Sequence, residues 1–333
     1  MKKSILNILA ISSLISFTAV AHEHHKVPKL TAGEKVISGQ EIVSGGYRYI
    51  ENFFQLPDEV DMWHAHGLAR DKEDNIYLAY QPKKVEKGIH VIVMFNKHGE
   101  FIRYIGDHNL GWGAPHGLDL VYENGQKFLY LSTNFNDVKK LDMQGNLVWQ
   151  SESQETPGDY GEKYRPTDSA LDPNSNLLYI ADGYGSNKIN LHNKNSGHYL
   201  NITWTGAQAG NPYLTPHGVT YDPRHNQVIV SDRGNKRILY YTTEGKFVKQ
   251  VKGQGISAVC NTDVWQDYLL VPNLDGTVVY LDKNNKLIDT IELNKVLGEQ
   301  GHKHPHDAIF MSNGDVVIGT WKPGKLSYWQ KID

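Results

Sequence analysis

Four times along this chain a histidine is followed by a small or acidic residue and then by two further residues that open a strand-like run: His66-Gly67-Leu68-Ala69, His116-Gly117-Leu118-Asp119, His217-Gly218-Val219-Thr220 and His306-Asp307-Ala308-Ile309. Three of the four follow a proline, Pro115, Pro216 and Pro305. Taking Thr167 of Pro166-Thr167-Asp168 and Ala258 as the equivalents in the two intervening units, the marks fall at 66, 116, 167, 217, 258 and 306, in steps of 50, 51, 50, 41 and 48. A self-similar period of this length is the signature of a propeller or solenoid. Closing six units into a ring would carry equivalent residues toward one axis, and the histidines would converge there.

Each unit spells the same set of strands. In the fourth, Gly218-Val219-Thr220-Tyr221, Gln227-Val228-Ile229-Val230, Arg237-Ile238-Leu239-Tyr240-Tyr241 and Phe247-Val248-Lys249-Gln250-Val251 are separated by Asp222-Pro223, Ser231-Asp232-Arg233-Gly234 and Glu244-Gly245. Short β-branched and aromatic runs punctuated by Asp, Asn, Gly and Pro predict a four-stranded antiparallel blade. The fold expected is therefore all-β, a six-bladed β-propeller; a β-sandwich accounts for the strands but not for the even spacing. The last unit ends after its third strand, Lys325-Leu326-Ser327-Tyr328-Trp329, while a strand-like Tyr47–Phe54 precedes the first mark, so the N-terminal strand is expected to close the ring.

Met1-Lys2-Lys3, the apolar stretch after it and Ala19-Val20-Ala21 read as a cleavable signal peptide over residues 1–21, with the cut after Ala21. A His-containing tail, 22–42, then leads to the propeller domain, 43–333. The expected location is periplasmic or secreted. Cys260 is the single cysteine, so no intrachain disulfide is possible and stability must come from the core. A formal charge of −3 gives no basic footprint for nucleic acid, nothing after the leader is apolar for long enough to span a membrane, and the chain is expected to act as a monomer on a small-molecule or peptide substrate. His22-Glu23-His24-His25 at the new terminus would offer copper(II) or nickel(II) an amine, two amides and an imidazole, although a polar tail with no ligand is the simpler account.

At the start of a blade's first strand a side chain faces the residues of other blades. His116, His217 and His306 share one context and are the expected zinc ligands, since three imidazoles with an open fourth position form a common catalytic zinc site. His66 is a possible extra ligand. For any one of these histidines alone, a bond to neighbouring backbone is the simpler account. Asp307, with the backbone carbonyls of Leu68 and Leu118, is a candidate calcium site, although an aspartate there could equally orient the imidazole. Tyr184 and Arg233, in loops after second strands, are the candidate base and carboxylate clamp, with an aromatic lid packed on the blade and an arginine paired with a local aspartate as the equal alternatives.

These residues resemble the peptidyl-α-hydroxyglycine α-amidating lyases, six-bladed propellers of NHL-repeat type, over about Trp63 to Ile332. The resemblance rests on Pro115-His116-Gly117-Leu118, Arg165-Pro166-Thr167-Asp168, Ala181-Asp182-Gly183-Tyr184, Pro216-His217-Gly218-Val219, Asp232-Arg233 and Pro305-His306-Asp307. It implies catalytic zinc on His116, His217 and His306, structural calcium on Asp307 and the carbonyls of Leu68 and Leu118, and Tyr184 as base with Arg233 nearby. The implied reaction splits a carbinolamide into an amide and glyoxylate. The chain departs from the family pattern at Gln81, where the family has a catalytic arginine, at His66, where it has a small residue, at His304, where it has a methionine, and in lacking the family's disulfides. A metal-holding propeller that binds a ligand, peptide or protein partner without chemistry is the alternative function, and a metal-dependent hydrolase a third.

Overall fold

The computed structural model describes residues 41–84, 90–106, 115–152, 164–298 and 301–332. The expected leader and the histidines of the tail lie outside these residues. Six antiparallel sheets follow one another along the chain. The first contains Met62–Arg70, Ile76–Pro82, Ile92–Phe95 and Phe101–Tyr104, and the fourth contains Pro216–Asp222, Gln227–Asp232, Arg237–Thr242 and Phe247–Val251.

The sixth sheet is the one that closes the ring. Pro305–Phe310, Val316–Thr320 and Lys325–Lys331 are joined by Tyr47–Ile50, whose Tyr49 lies opposite Trp329. The closing strand stops at Ile50 rather than Phe54, because the chain turns through Asn52 at φ 54°. Phe53 then stacks on Tyr328 with ring centroids 3.8 Å apart instead of extending the sheet. Val43–Ser44 adds a short fifth strand that the repeat pattern did not suggest.

Turn chemistry explains why the strands end where they do. Asp71 Oδ1 accepts the amides of Glu73 and Asn75 at 3.1 and 2.8 Å, and Asp282 Oδ1 accepts those of Asn284 and Lys286 at 2.8 and 2.9 Å. Such side-chain acceptors replace the ladder where the backbone reverses. Between each pair of neighbouring sheets lies one apolar cluster, for example Leu78, Val93, Val317 and Met311 between the sixth and first blades. Truncating one of these buried side chains to alanine costs about 2–5 kcal/mol, so the ring is held by blade-to-blade packing and leaves the axis free for polar groups.

Candidate metal centre

The four histidines reach the axis because each first strand carries an extra residue there. In the fourth blade Pro216 pairs with Asp232 and Gly218 with Ser231, so His217 has no partner in the ladder; in the sixth, Pro305 pairs with Thr320 and Asp307 with Gly319, leaving out His306. The first and second blades bulge in the same way, between Ala65 and Leu68 and between Pro115 and Leu118. A bulge re-aims a side chain out of the pleat, and here it turns the imidazoles into the channel. The glycine after the histidine follows from crowding. A Cβ on Gly67 would lie 2.6 Å from the His116 carbonyl oxygen, and one on Gly117 2.8 Å from that of Thr167.

The same geometry corrects one equivalence. Gly218 abuts the carbonyl of Cys260, as Gly117 abuts that of Thr167, so the fifth blade's mark is Cys260 and not Ala258. The channel ring is therefore His66, His116, Thr167, His217, Cys260 and His306. Without the Pro-His-Gly context, the fifth unit offered no residue by which to set its register.

His66, His116, His217 and His306 are all buried. Nδ1 of His116 donates to the Thr167 carbonyl at 2.6 Å, and Nδ1 of His217 to the Cys260 carbonyl at 2.8 Å. A backbone acceptor on one ring nitrogen fixes the tautomer and leaves Nε2 as the lone-pair donor. Nε2 of His306 lies 3.1 Å from Nε2 of His116. Burial pushes the His116 imidazole down to about 3, and burial with the crowding of imidazoles against one another holds His66, His217 and His306 well below the usual range, Arg233 adding to this for His217 and His306. Four neutral imidazoles facing one another suit a borderline cation. Neither ring nitrogen of His66 makes a hydrogen bond of good geometry, nor does Nδ1 of His306, and the ligand atoms of His66, His116 and His306 lie within 4.8 Å of one another. The donor set fits a divalent metal.

Tyr184 and Arg233 meet at this cluster. Asp182 anchors the loop carrying Tyr184 by accepting the amides of Arg165 and Ser186, both at 2.7 Å; Asp232 does the same before Arg233, accepting the Leu214 amide at 2.8 Å. Tyr184 is 39% exposed as a residue, but its hydroxyl lies 3.0 Å from Nε2 of His217. Burial raises the phenol above its ordinary value while the Arg233 guanidinium opposes that shift. Arg233 also lies 3.7 Å from the Cys260 sulfur, whose thiol burial pushes up to about 11.

Asp307 is buried beside this ring. Its carboxylate accepts the Leu68 amide at 2.7 Å, the Ala308 amide at 2.9 Å and the Asn261 side chain at 3.2 Å. Leu68 and Leu118 are buried at the first paired position after their bulges. Asp168 has an equivalent place: it follows Thr167 as Asp307 follows His306 and takes the Val219 amide at 3.0 Å. Its place directly after a mark was the available signal. Asp119 and Asp263 join the group, and burial with mutual repulsion holds the carboxyls of Asp119, Asp168 and Asp307 well above the carboxylate range. His116, His217, His306, Asp168, Asn261 and Asp307 line a small cavity of about 10 Å³. That is room on the order of one water or ion.

Two residues that depart from the family pattern pair with other groups. Gln81 Oε1 accepts from Nδ1 of His64 at 3.0 Å, and His64 stacks on Trp63 with centroids 4.2 Å apart. His304 bonds the Leu274 carbonyl at 2.7 Å through Nδ1.

Comparison with known proteins agrees with this architecture. Residues 214–241 match the NHL repeat. The chain is 25% identical over 283 residues to mouse peptidyl-glycine alpha-amidating monooxygenase, covering 79% of this chain and 26% of that protein. It is 36% identical over 192 residues to peptidyl-glycine alpha-amidating monooxygenase A of Xenopus laevis, covering 49% and 20%. The chain thus spans about a quarter or less of the length of these relatives. A catalytically inactive virginiamycin B lyase from Staphylococcus aureus with quinupristin superposes with a TM-score of 0.54 at 14% identity, over 86% of this chain and 88% of that one. A streptogramin B lyase gives 0.53 at 10%, over 83% and 96%. Among the described residues no helix is long and apolar enough to cross a membrane. The chain is an all-β six-bladed propeller that carries an NHL repeat and is distantly homologous to peptidyl-glycine alpha-amidating monooxygenase.

Proposed function

We propose that this protein is an exported, metal-dependent carbon–nitrogen lyase of the amidating type, which splits a peptidyl-α-hydroxyglycine-like carbinolamide into an amide and glyoxylate. The observation that carries the reading is the meeting of Tyr184, Arg233 and His217 at the channel mouth, with Tyr184 Oη 3.0 Å from His217 Nε2 and 3.2 Å from Arg233 Nη2. His116, His217 and His306 would hold zinc, with His66 beside them, and Asp307 with the Leu68 and Leu118 carbonyls would hold calcium. Bound zinc supplies Lewis-acid polarisation of a substrate oxygen.

Arg233 grips the substrate carboxylate through its planar fork. Tyr184 serves as base toward the carbinol hydroxyl once it has lost its own proton, a loss that the Arg233 guanidinium and a bound cation would favour against the rise imposed by burial. The carbonyl of glyoxylate forms as the carbon–nitrogen bond breaks, and Tyr184 returns the proton it took to the departing amide nitrogen. The test is glyoxylate release from α-hydroxyhippurate by the purified protein, scored with its metal content. Turnover that disappears with the metal, and in His116→Ala, supports the reading; metal-loaded protein with no glyoxylate release overturns it.

A second reading, a metal-holding propeller that binds a ligand or peptide without chemistry, is favoured by His66. Its imidazole could fill the position a catalytic metal keeps open. The pairing of Gln81 with His64 points the same way, because a neutral amide already engaged by a neighbour is no substitute for a guanidinium.

A further inference from the structure

The four rings are not arranged as one closed shell. His116 and His306 have centroids 4.5 Å apart, and each lies 4.8 Å from both His66 and His217. Among the described residues the sixth pair, His66 and His217, makes no ring contact. A tetrahedral shell requires six equivalent edges, whereas these rings form two triangles hinged on the His116–His306 edge. The two outer histidines also differ in what their nitrogens do. Both nitrogens of His217 are engaged, by the Cys260 carbonyl and the Tyr184 hydroxyl, while both nitrogens of His66 are buried and make no hydrogen bond of good geometry, the neighbouring Gln81 oxygen being taken by His64.

Resting on the metal-centre reading above, we propose that the channel holds two overlapping three-histidine seats for a single divalent ion. One is His116, His217 and His306; the other, which the family resemblance does not supply, is His66, His116 and His306. In the conformation described, the second seat has its outer ligand free, and the first opens only when Tyr184 releases Nε2 of His217. An ion in the His66 seat leaves the Tyr184–His217 bond in place. An ion in the His217 seat frees the Tyr184 hydroxyl for substrate. His66 is thus a positioning residue that sets where the ion rests and whether Tyr184 is available.

The test needs no substrate, so its failure is separable from failure of the lyase reading. The full chain is stripped with a chelator, reloaded with zinc or cobalt(II) and desalted, and metal content and the cobalt visible spectrum are recorded. His66→Ala and His217→Ala are each expected to retain about one ion, with different cobalt bands, and the double variant to retain none. A folded His217→Ala protein emptied of metal would overturn the proposal, as would a double variant that binds like the single ones. Should His217→Ala fail to fold, Tyr184→Phe replaces it. Freeing Nε2 of His217 is expected to shift the cobalt band toward that of His66→Ala, and an unchanged band counts against two seats.

Discussion

Tyr184 and Arg233, 49 residues apart in sequence and on adjacent blades, share a hydrogen bond of 3.2 Å over the buried Nε2 of His217. Their loops are clamped by equivalent aspartates, Asp182 and Asp232, so neither group depends on substrate for its position. Tyr184→Phe removes the hydroxyl and keeps the ring. We expect kcat for glyoxylate release to fall by about 10²–10⁴, the usual range for a positioned acid–base group, with metal content unchanged. A variant with wild-type kcat would remove Tyr184 from the chemistry.

Arg233→Gln keeps a donor but loses the charge and the fork. A hydrogen bond to a charged group contributes roughly 1.5–3 kcal/mol, so kcat/KM should drop about ten- to a hundredfold, chiefly through KM. The loss should be confined to substrates bearing a carboxylate. An equal loss on an esterified substrate would show that Arg233 acts on Tyr184 and not on substrate.

The calcium assignment is tested through stability. Calcium added to chelator-treated protein is expected to raise Tm, because a ligand that binds only the folded state stabilises it in proportion to its occupancy. Asp307→Asn should abolish most of that rise while keeping an acceptor for the Leu68 amide. The same rise in wild type and variant would place calcium elsewhere.

Asp263 gives a pH dependence of known sign. Burial pushes its carboxyl up to about 6, although it accepts the Phe310 amide at 2.7 Å. A group whose folded value is raised contributes stability that is present below its unfolded value of about 3.9 and lost as pH rises through the folded value. Arg70 opposes the shift. In metal-free protein, Asp263→Asn should therefore be more stable than wild type above about pH 6, by on the order of 1–3 kcal/mol, and gain little at pH 4. A constant difference in urea midpoint from pH 4 to pH 8 would contradict this.

The blades were legible because strand and turn chemistry repeat in every unit, and ring closure because the last unit lacks a strand that Tyr47–Ile50 supplies. His116, His217 and His306 stood out through their shared proline and small-residue context. Cys260 did not, since it shares only the backbone position of the histidines and none of their neighbours. Nor could the sequence show that His66 keeps two nitrogens without a hydrogen bond of good geometry while Gln81 is taken by His64. Those facts depend on which rings face each other across the channel, a long-range property that no local pattern encodes.

Closing the ring with Tyr47–Ile50 against Lys325–Lys331 joins residues about as far apart as the fold allows; Arg48 reaches the side chain of Gln330 across 282 positions. Contacts of such sequence separation form slowly, because loop closure precedes any gain from pairing. His306 lies in the blade that this strand completes, so the proposed metal seats would be assembled only with the final circle. Ion capture should therefore trail the bulk of β-structure formation during refolding, making the appearance of a cobalt band a clock for ring closure.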